Sequence, residues 1–81
     1  MSDMSIAPPD EFAKEFGERL RTARLRQQLS QTALAHQLSI GRSTLVEYES
    51  GATLPSLTVA MRLAATLDVS LDWLCGLAPD R

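Results

Sequence analysis

One cysteine, one histidine, four glycines and 5% aromatic residues are all that 81 residues contain of these types. The single cysteine, Cys75, excludes an intrachain disulfide. With one histidine, His36, there is no cysteine–histidine set to hold a metal. No cofactor is expected either. Long apolar runs are missing, which excludes a membrane-spanning helix. The opening MSDMSIAPP lacks a basic flank and a hydrophobic core, so it is not expected to be a signal peptide, and a reduced cytoplasmic setting follows as the expectation. The alternating pattern of strands is absent, as are repeats and low-complexity stretches. Serine, histidine and aspartate recur at capping and surface positions rather than as a catalytic group. A chain this short is not expected to build a deep catalytic cleft, a ligand-sensing domain or a small-molecule pocket. An enzyme is not expected.

What is present is 44% apolar and 22% charged residues, enough for one small folded domain. Such a domain buries only about 60–65% of its unfolded surface, so pairing with a second copy would help it. Met1 to Pro9, with no periodicity and a Pro8-Pro9 pair, is expected to be a disordered tail. The domain is expected over 10–77, followed by a tail over 78–81. Asp10 is expected to cap a first helix in which Phe12, Phe16, Leu20 and Ala23 recur at helical spacing, running to about Gln27. Ser30 caps a short second helix with Leu34, Ala35 and Leu38 on one face. Ser39-Ile40-Gly41 is a tight connector. Leu45 and Tyr48 line the inner side of a third helix that stops at Ser50-Gly51. Ser56 caps a fourth helix whose expected buried stripe is Leu57, Ala60, Leu63, Ala64 and Leu67. Ser70 caps a fifth, begun by Leu71, Trp73 and Leu74 and ended by Gly76. The class is all-α, with five helices.

The net charge of −2 argues on its face against nucleic acid, but the charges are not evenly spread. Between Arg19 and Val46 every charged residue is an arginine: Arg19, Arg21, Arg24, Arg26 and Arg42. That window carries +5 and the remainder −7. Guanidinium groups bind phosphate in a bidentate fork and dock on guanine O6 and N7. A solvated helix face is the more ordinary explanation of such a run when it stands alone. Here it surrounds residues 31–50, QTALAHQLSIGRSTLVEYES, two short helices joined by a turn too tight for a long connection. Such a pair packs at roughly 90–120°, so the second helix projects from the domain. Ala35 is small where the helices cross. The outer side of the third helix carries Arg42, Ser43, Val46 and Glu47, near the helix N-terminus that reads base edges in a major groove.

The series Leu29-Ser30-Gln31, Leu34-Ala35, Arg42-Ser43-Thr44, Tyr48-Glu49-Ser50-Gly51, Pro55-Ser56-Leu57 and Val69-Ser70-Leu71-Asp72-Trp73-Leu74 resembles the lambda repressor/Cro-type, or XRE, helix-turn-helix family. The resemblance covers about residues 12–77. It implies a five-helix lambda repressor-like DNA-binding domain and a transcriptional regulator of double-stranded DNA. It also implies roles by position. Ser30 and Gln31, opening the second helix, would contact phosphate. Arg42, Ser43 and Glu47 would face the major groove, Arg42 reading guanine and Glu47 accepting from cytosine N4. Thr44 would touch backbone or a thymine methyl. Arg24 would pair with Glu49 and brace the recognition helix.

The sequence departs from the family at several points. Three helix-ending glycines appear as Gln28, Ser39 and Asp68; a left-handed backbone there costs about 1 kcal/mol each relative to glycine. Gly41 stands at the usual serine cap of the third helix. The loop Ala52-Thr53-Leu54 has no basic residue, which weakens phosphate anchoring. One recognition helix reads too few base pairs to specify a genomic site, and members of this family pair two domains on half-sites about 34 Å apart. The expectation is a homodimer on a palindromic operator, acting as a repressor. Its contacts are expected at Trp73, Leu74 and Leu77, with the loop Ala52 to Pro55 alongside. The competing expectation is a protein-interaction module of antitoxin or anti-repressor type on the same scaffold, favoured by the acidic net charge and the neutral loop. His36 is expected on the surface, Cys75 half-buried, and Trp73 either closing the core or at the dimer contact.

Overall fold

Three serines decide where three of the helices begin. The computed structural model describes residues 9–79, with helices α1 (Pro9–Arg26), α2 (Gln31–Leu38), α3 (Arg42–Ser50), α4 (Leu57–Leu67) and α5 (Leu71–Leu74), and no strand among the described residues. Ser30 Oγ accepts from the Ala33 amide at 3.0 Å, Ser56 Oγ from Val59 at 3.2 Å and Ser70 Oγ from Trp73 at 2.9 Å. Each hydroxyl satisfies one of the amides that a helix start leaves without a partner. Gly41 precedes α3 in the same extended conformation but has no side chain to do this. α1 differs from expectation at its start. Pro9 and Asp10 already lie inside it, so Asp10 is in the first turn rather than capping it. Proline suits a first turn because no amide hydrogen is required there, and the Asp10 and Glu11 carboxylates face the helix's positive end. Of the tails expected over 1–9 and 78–81, residues 1–8 and 80–81 lie outside the described residues, and Pro9 already belongs to α1.

The helices end as abruptly as they begin. Ser39, Gly51 and Asp68 take left-handed backbones with φ of 56°, 83° and 57°, and Gln28, two residues past α1, has φ 58°. After α2 the turn closes with Ser39 N donating to His36 O at 3.1 Å and Ile40 N to Ala35 O at 3.0 Å. These bonds satisfy carbonyls the helix leaves open and bend the chain straight into α3.

The core gathers Phe16, Leu20 and Ala23 of α1, Leu34, Ala35 and Leu38 of α2, Leu45 of α3, Ala60, Leu63, Ala64 and Leu67 of α4, and Leu74 of α5. α1 lies directly on the C-terminal end of α3. A Cβ at Gly17 would collide with the Tyr48 and Glu49 carbonyl oxygens, and one at Gly51 would come within 2.9 Å of Lys14 Cα, so two glycines let the helices touch. Two expectations are corrected here. Leu57 does not belong to the buried stripe of α4: it is 69% exposed, because the core side of the helix is set by Ala60, Leu63, Ala64 and Leu67. Leu74, expected at a dimer surface, is fully buried within the single chain. α5 is one turn long, so Leu71 and Leu74 share its inward side, and only Leu77, beyond Gly76, emerges. Trp73 is half-buried against the core, Cys75 is half-buried and His36 is exposed.

Candidate nucleic-acid interface

α2 and α3 present one continuous edge to solvent, and a chain of polar side chains runs beneath it. Arg24 of α1 is 7% exposed, a buried charge. Its Nε donates to Glu49 Oε2 at 2.6 Å and its Nη2 to Glu49 Oε1 at 3.1 Å, while Nη1 donates to the Leu29 carbonyl at 2.8 Å. The forked guanidinium thus ties the last turn of α3 to the turn before α2. Glu49 Oε1 also accepts from Gln31 Nε2 at 3.1 Å, and Gln31 Oε1 accepts from Arg42 Nη2 at 3.2 Å. Arg24, Glu49, Gln31 and Arg42 therefore form one relay from the domain interior to the exposed start of α3. No buried side-chain polar atom among the described residues lacks a partner, so both buried charges of the relay are compensated.

The expected DNA-contacting residues fall along this edge. Ser30 and Ser43 are exposed, Gln31 and Thr44 half-exposed, Arg42 and Glu47 exposed. Gln31, expected to meet phosphate, has its amide spanned between Glu49 and Arg42 in the free protein. Ser30 spends its hydroxyl on the helix cap. A shallow cleft of about 410 Å³ lies between α1 and the α2–α3 pair, lined by Arg21, Arg24, Gln31, Val46, Glu49 and Ser50.

The arginine window divides. Arg19 packs its guanidinium against Gly76 and stands 3.9 Å from Glu15. Arg26 lies over the Trp73 ring at 6.0 Å. Both belong to the α5 end. Arg24 is committed to Glu49. Arg21 and Arg42 alone of the five face the α2–α3 side. Arg21, three residues before Arg24, lies on the same side of α1 and lines the same cleft. Arg62 was missed: its Nη2 donates to the Leu38 carbonyl at 2.9 Å, closing the end of α2 from outside the window. Nothing local in the sequence signals that bond.

A family profile for helix-turn-helix proteins matches residues 20–74, from the middle of α1 to the end of α5. The chain belongs to the XRE-type helix-turn-helix family. Its members are DNA-binding transcription regulators rather than enzymes. Among XRE-type relatives, the chain is similar to the cryptic phage CTXphi transcriptional repressor RstR of Vibrio cholerae, 34% identical over 59 residues. That match takes in 73% of this chain and 53% of RstR, so the chain spans about half the length of this curated relative. Among solved structures it is similar to the restriction-modification controller protein C.AhdI of Aeromonas hydrophila, with 35% identity, a TM-score of 0.72, and 76% of this chain and 94% of the other covered. The biofilm master regulator SinR, solved in complex with DNA, is 28% identical with a TM-score of 0.68, covering 73% and 95%. No helix among the described residues is long and apolar enough to cross a membrane, and none of them form a cluster suited to a metal.

Proposed function

We propose that this XRE-type protein is a sequence-specific transcriptional repressor that binds a palindromic operator as a homodimer. The observation that carries the reading is the relay at the start of α3. Arg42 is exposed, yet held by Gln31, which is itself held by the buried Glu49–Arg24 pair. A guanidinium oriented before it meets DNA loses less freedom on binding. Arg42 then forks onto guanine O6 and N7, Glu47 accepts from cytosine N4, and Thr44 meets backbone or a thymine methyl. Ser30 and Gln31 lie by a phosphate at the α2 N-terminus, with Arg21 on the flank. RstR is named a transcriptional repressor and SinR was solved on DNA, which supports both the ligand and the sign of regulation.

The deciding experiment is selection of bound duplexes from a random library, followed by sequencing. A palindromic consensus with a guanine in each half is the expected result, and recovery of no enriched sequence defeats the reading. One observation favours a protein partner instead: the loop Ala52–Leu54 bears no charge and Leu54 is exposed. Under that alternative no duplex binds at any salt concentration.

A further inference from the structure

The outer side of α4 is left uncovered. Leu57 and Met61 lie one turn apart along it and are 69% and 56% exposed, and Leu54, in the loop leading into the helix, is 44% exposed. Ala65, one turn beyond Met61, is exposed as well. The opposite side is core. A helix that is apolar on both sides is ordinarily buried on both. Between Gly51 and Asp68 the one charged residue is Arg62, whose guanidinium is given to the Leu38 carbonyl. Leu54, Leu57, Met61 and Ala65 themselves carry no charge, so the stripe has no ion-pairing group of its own, while the exposed Arg62 borders it and keeps its charge. Set against itself across a two-fold axis, it meets apolar surface with apolar surface, with the Arg62 head left at the solvent-facing border.

We propose that a second copy of this chain docks on Leu54, Leu57 and Met61, and that this stripe, rather than the C-terminal end, is the dimer surface. The inference rests on the homodimer reading above and names its interface. The C-terminal end has little left to offer: Leu74 is in the core, Trp73 is half-buried with Arg26 over its ring, and Leu77 is the one large apolar side chain there that is mostly exposed. One α3 is half of a palindromic reader. The stripe begins in the loop that follows α3, so pairing there fixes the spacing of the two recognition helices. The three side chains present roughly 350 Å² per copy, about 700 Å² for the pair, less than the ~1,200 Å² of a stable interface. Such a dimer is weak when free and completed on DNA.

The test is light scattering over a concentration series on the full chain, for wild type, Met61→Glu, Leu57→Glu and Leu77→Glu, with thermal melting of each. Wild type should dimerise, and Met61→Glu should raise the dimer dissociation constant at least about tenfold. Its melting should stay put, since the side chain is exposed. Leu57→Glu places a carboxylate in the first turn of α4, where it favours the helix, so it should separate the copies without harming the fold. Leu77→Glu should leave the dimer unchanged. Glutamate variants as dimeric as wild type, or a dimer weakened by Leu77→Glu alone, would overturn the proposal. So would a wild type that stays monomeric and binds a duplex with both half-sites no tighter than one with a single half-site, which would leave the stripe to a different protein. Loss of the functional reading looks different: copies that dimerise through the stripe but bind no duplex sink the repressor and leave the interface standing.

Discussion

Glu49 serves two donors at once, the buried Arg24 guanidinium and the Gln31 amide. Truncating it strands a charge that water cannot reach. Glu49→Ala is expected to lower stability by about 3 kcal/mol, read by urea unfolding, because breaking one side of a buried pair costs far more than the pair itself contributes. Unchanged unfolding would mean that Arg24 finds water without it. Arg42→Ala removes the far end of the same relay at an exposed site, so its cost belongs to binding. A loss of about 1–3 kcal/mol, confined to operators with the contacted base, is the expected outcome of competition between single-base variants. Equal weakening on every sequence would make Arg42 a phosphate contact. At Cys75 burial raises the thiol above its ordinary range, the Asp72 carboxylate adds to this and Arg19 opposes it. A raised value means less thiolate at any given pH. Alkylation in the folded protein should accordingly be slower than in urea across mildly alkaline pH, and equal rates would place the thiol in solvent.

The short helices owe their existence to their ends and to packing, since isolated helices of 8 to 11 residues are marginal in water. Three left-handed non-glycine residues stop the helices at a cost. Asp68→Gly relieves that strain and is expected to raise stability by about 0.5–1 kcal/mol, measured by chemical denaturation. A fall would show that the Asp68 side chain contributes more than its backbone costs. Gly17 acts in the opposite sense. Any Cβ there meets the carbonyls at the end of α3, so Gly17→Ala must push α1 and α3 apart, disturbing the Arg24–Glu49 geometry as well as the packing.

Over the whole molecule the acidic average conceals a division of labour. Two arginines latch α5, one is buried, and two are left toward the α2–α3 edge, giving four for a dimer. Counterion release by the phosphate-flanking Arg21 of each copy, with Arg42 on a base edge, then predicts a logarithmic salt slope of roughly −2, about a tenfold loss between 50 and 200 mM salt. Titration at several salt concentrations checks this. A much steeper slope would require cations beyond Arg21 and Arg42, and a flat one would favour a protein partner.

Helix number and the serine caps at Ser30, Ser56 and Ser70 were legible in the sequence, because each depends on neighbours within four residues. So was the α2–α3 motif, whose apolar spacing and tight turn are local properties. The strained ends at Gln28, Ser39 and Asp68 were marked only by family resemblance. The pairing of Arg24 with Glu49 came through family resemblance alone, since nothing local joins residues 25 positions apart. Tertiary structure decided what periodicity could not. Leu57 and Leu74 both carry leucine's apolar signal, yet one faces solvent and the other fills the core, because burial depends on which neighbouring helix arrives. The five arginines look alike in a charge count. Only the folded chain shows which guanidiniums find a carboxylate, a ring or a glycine, and which are left for another molecule.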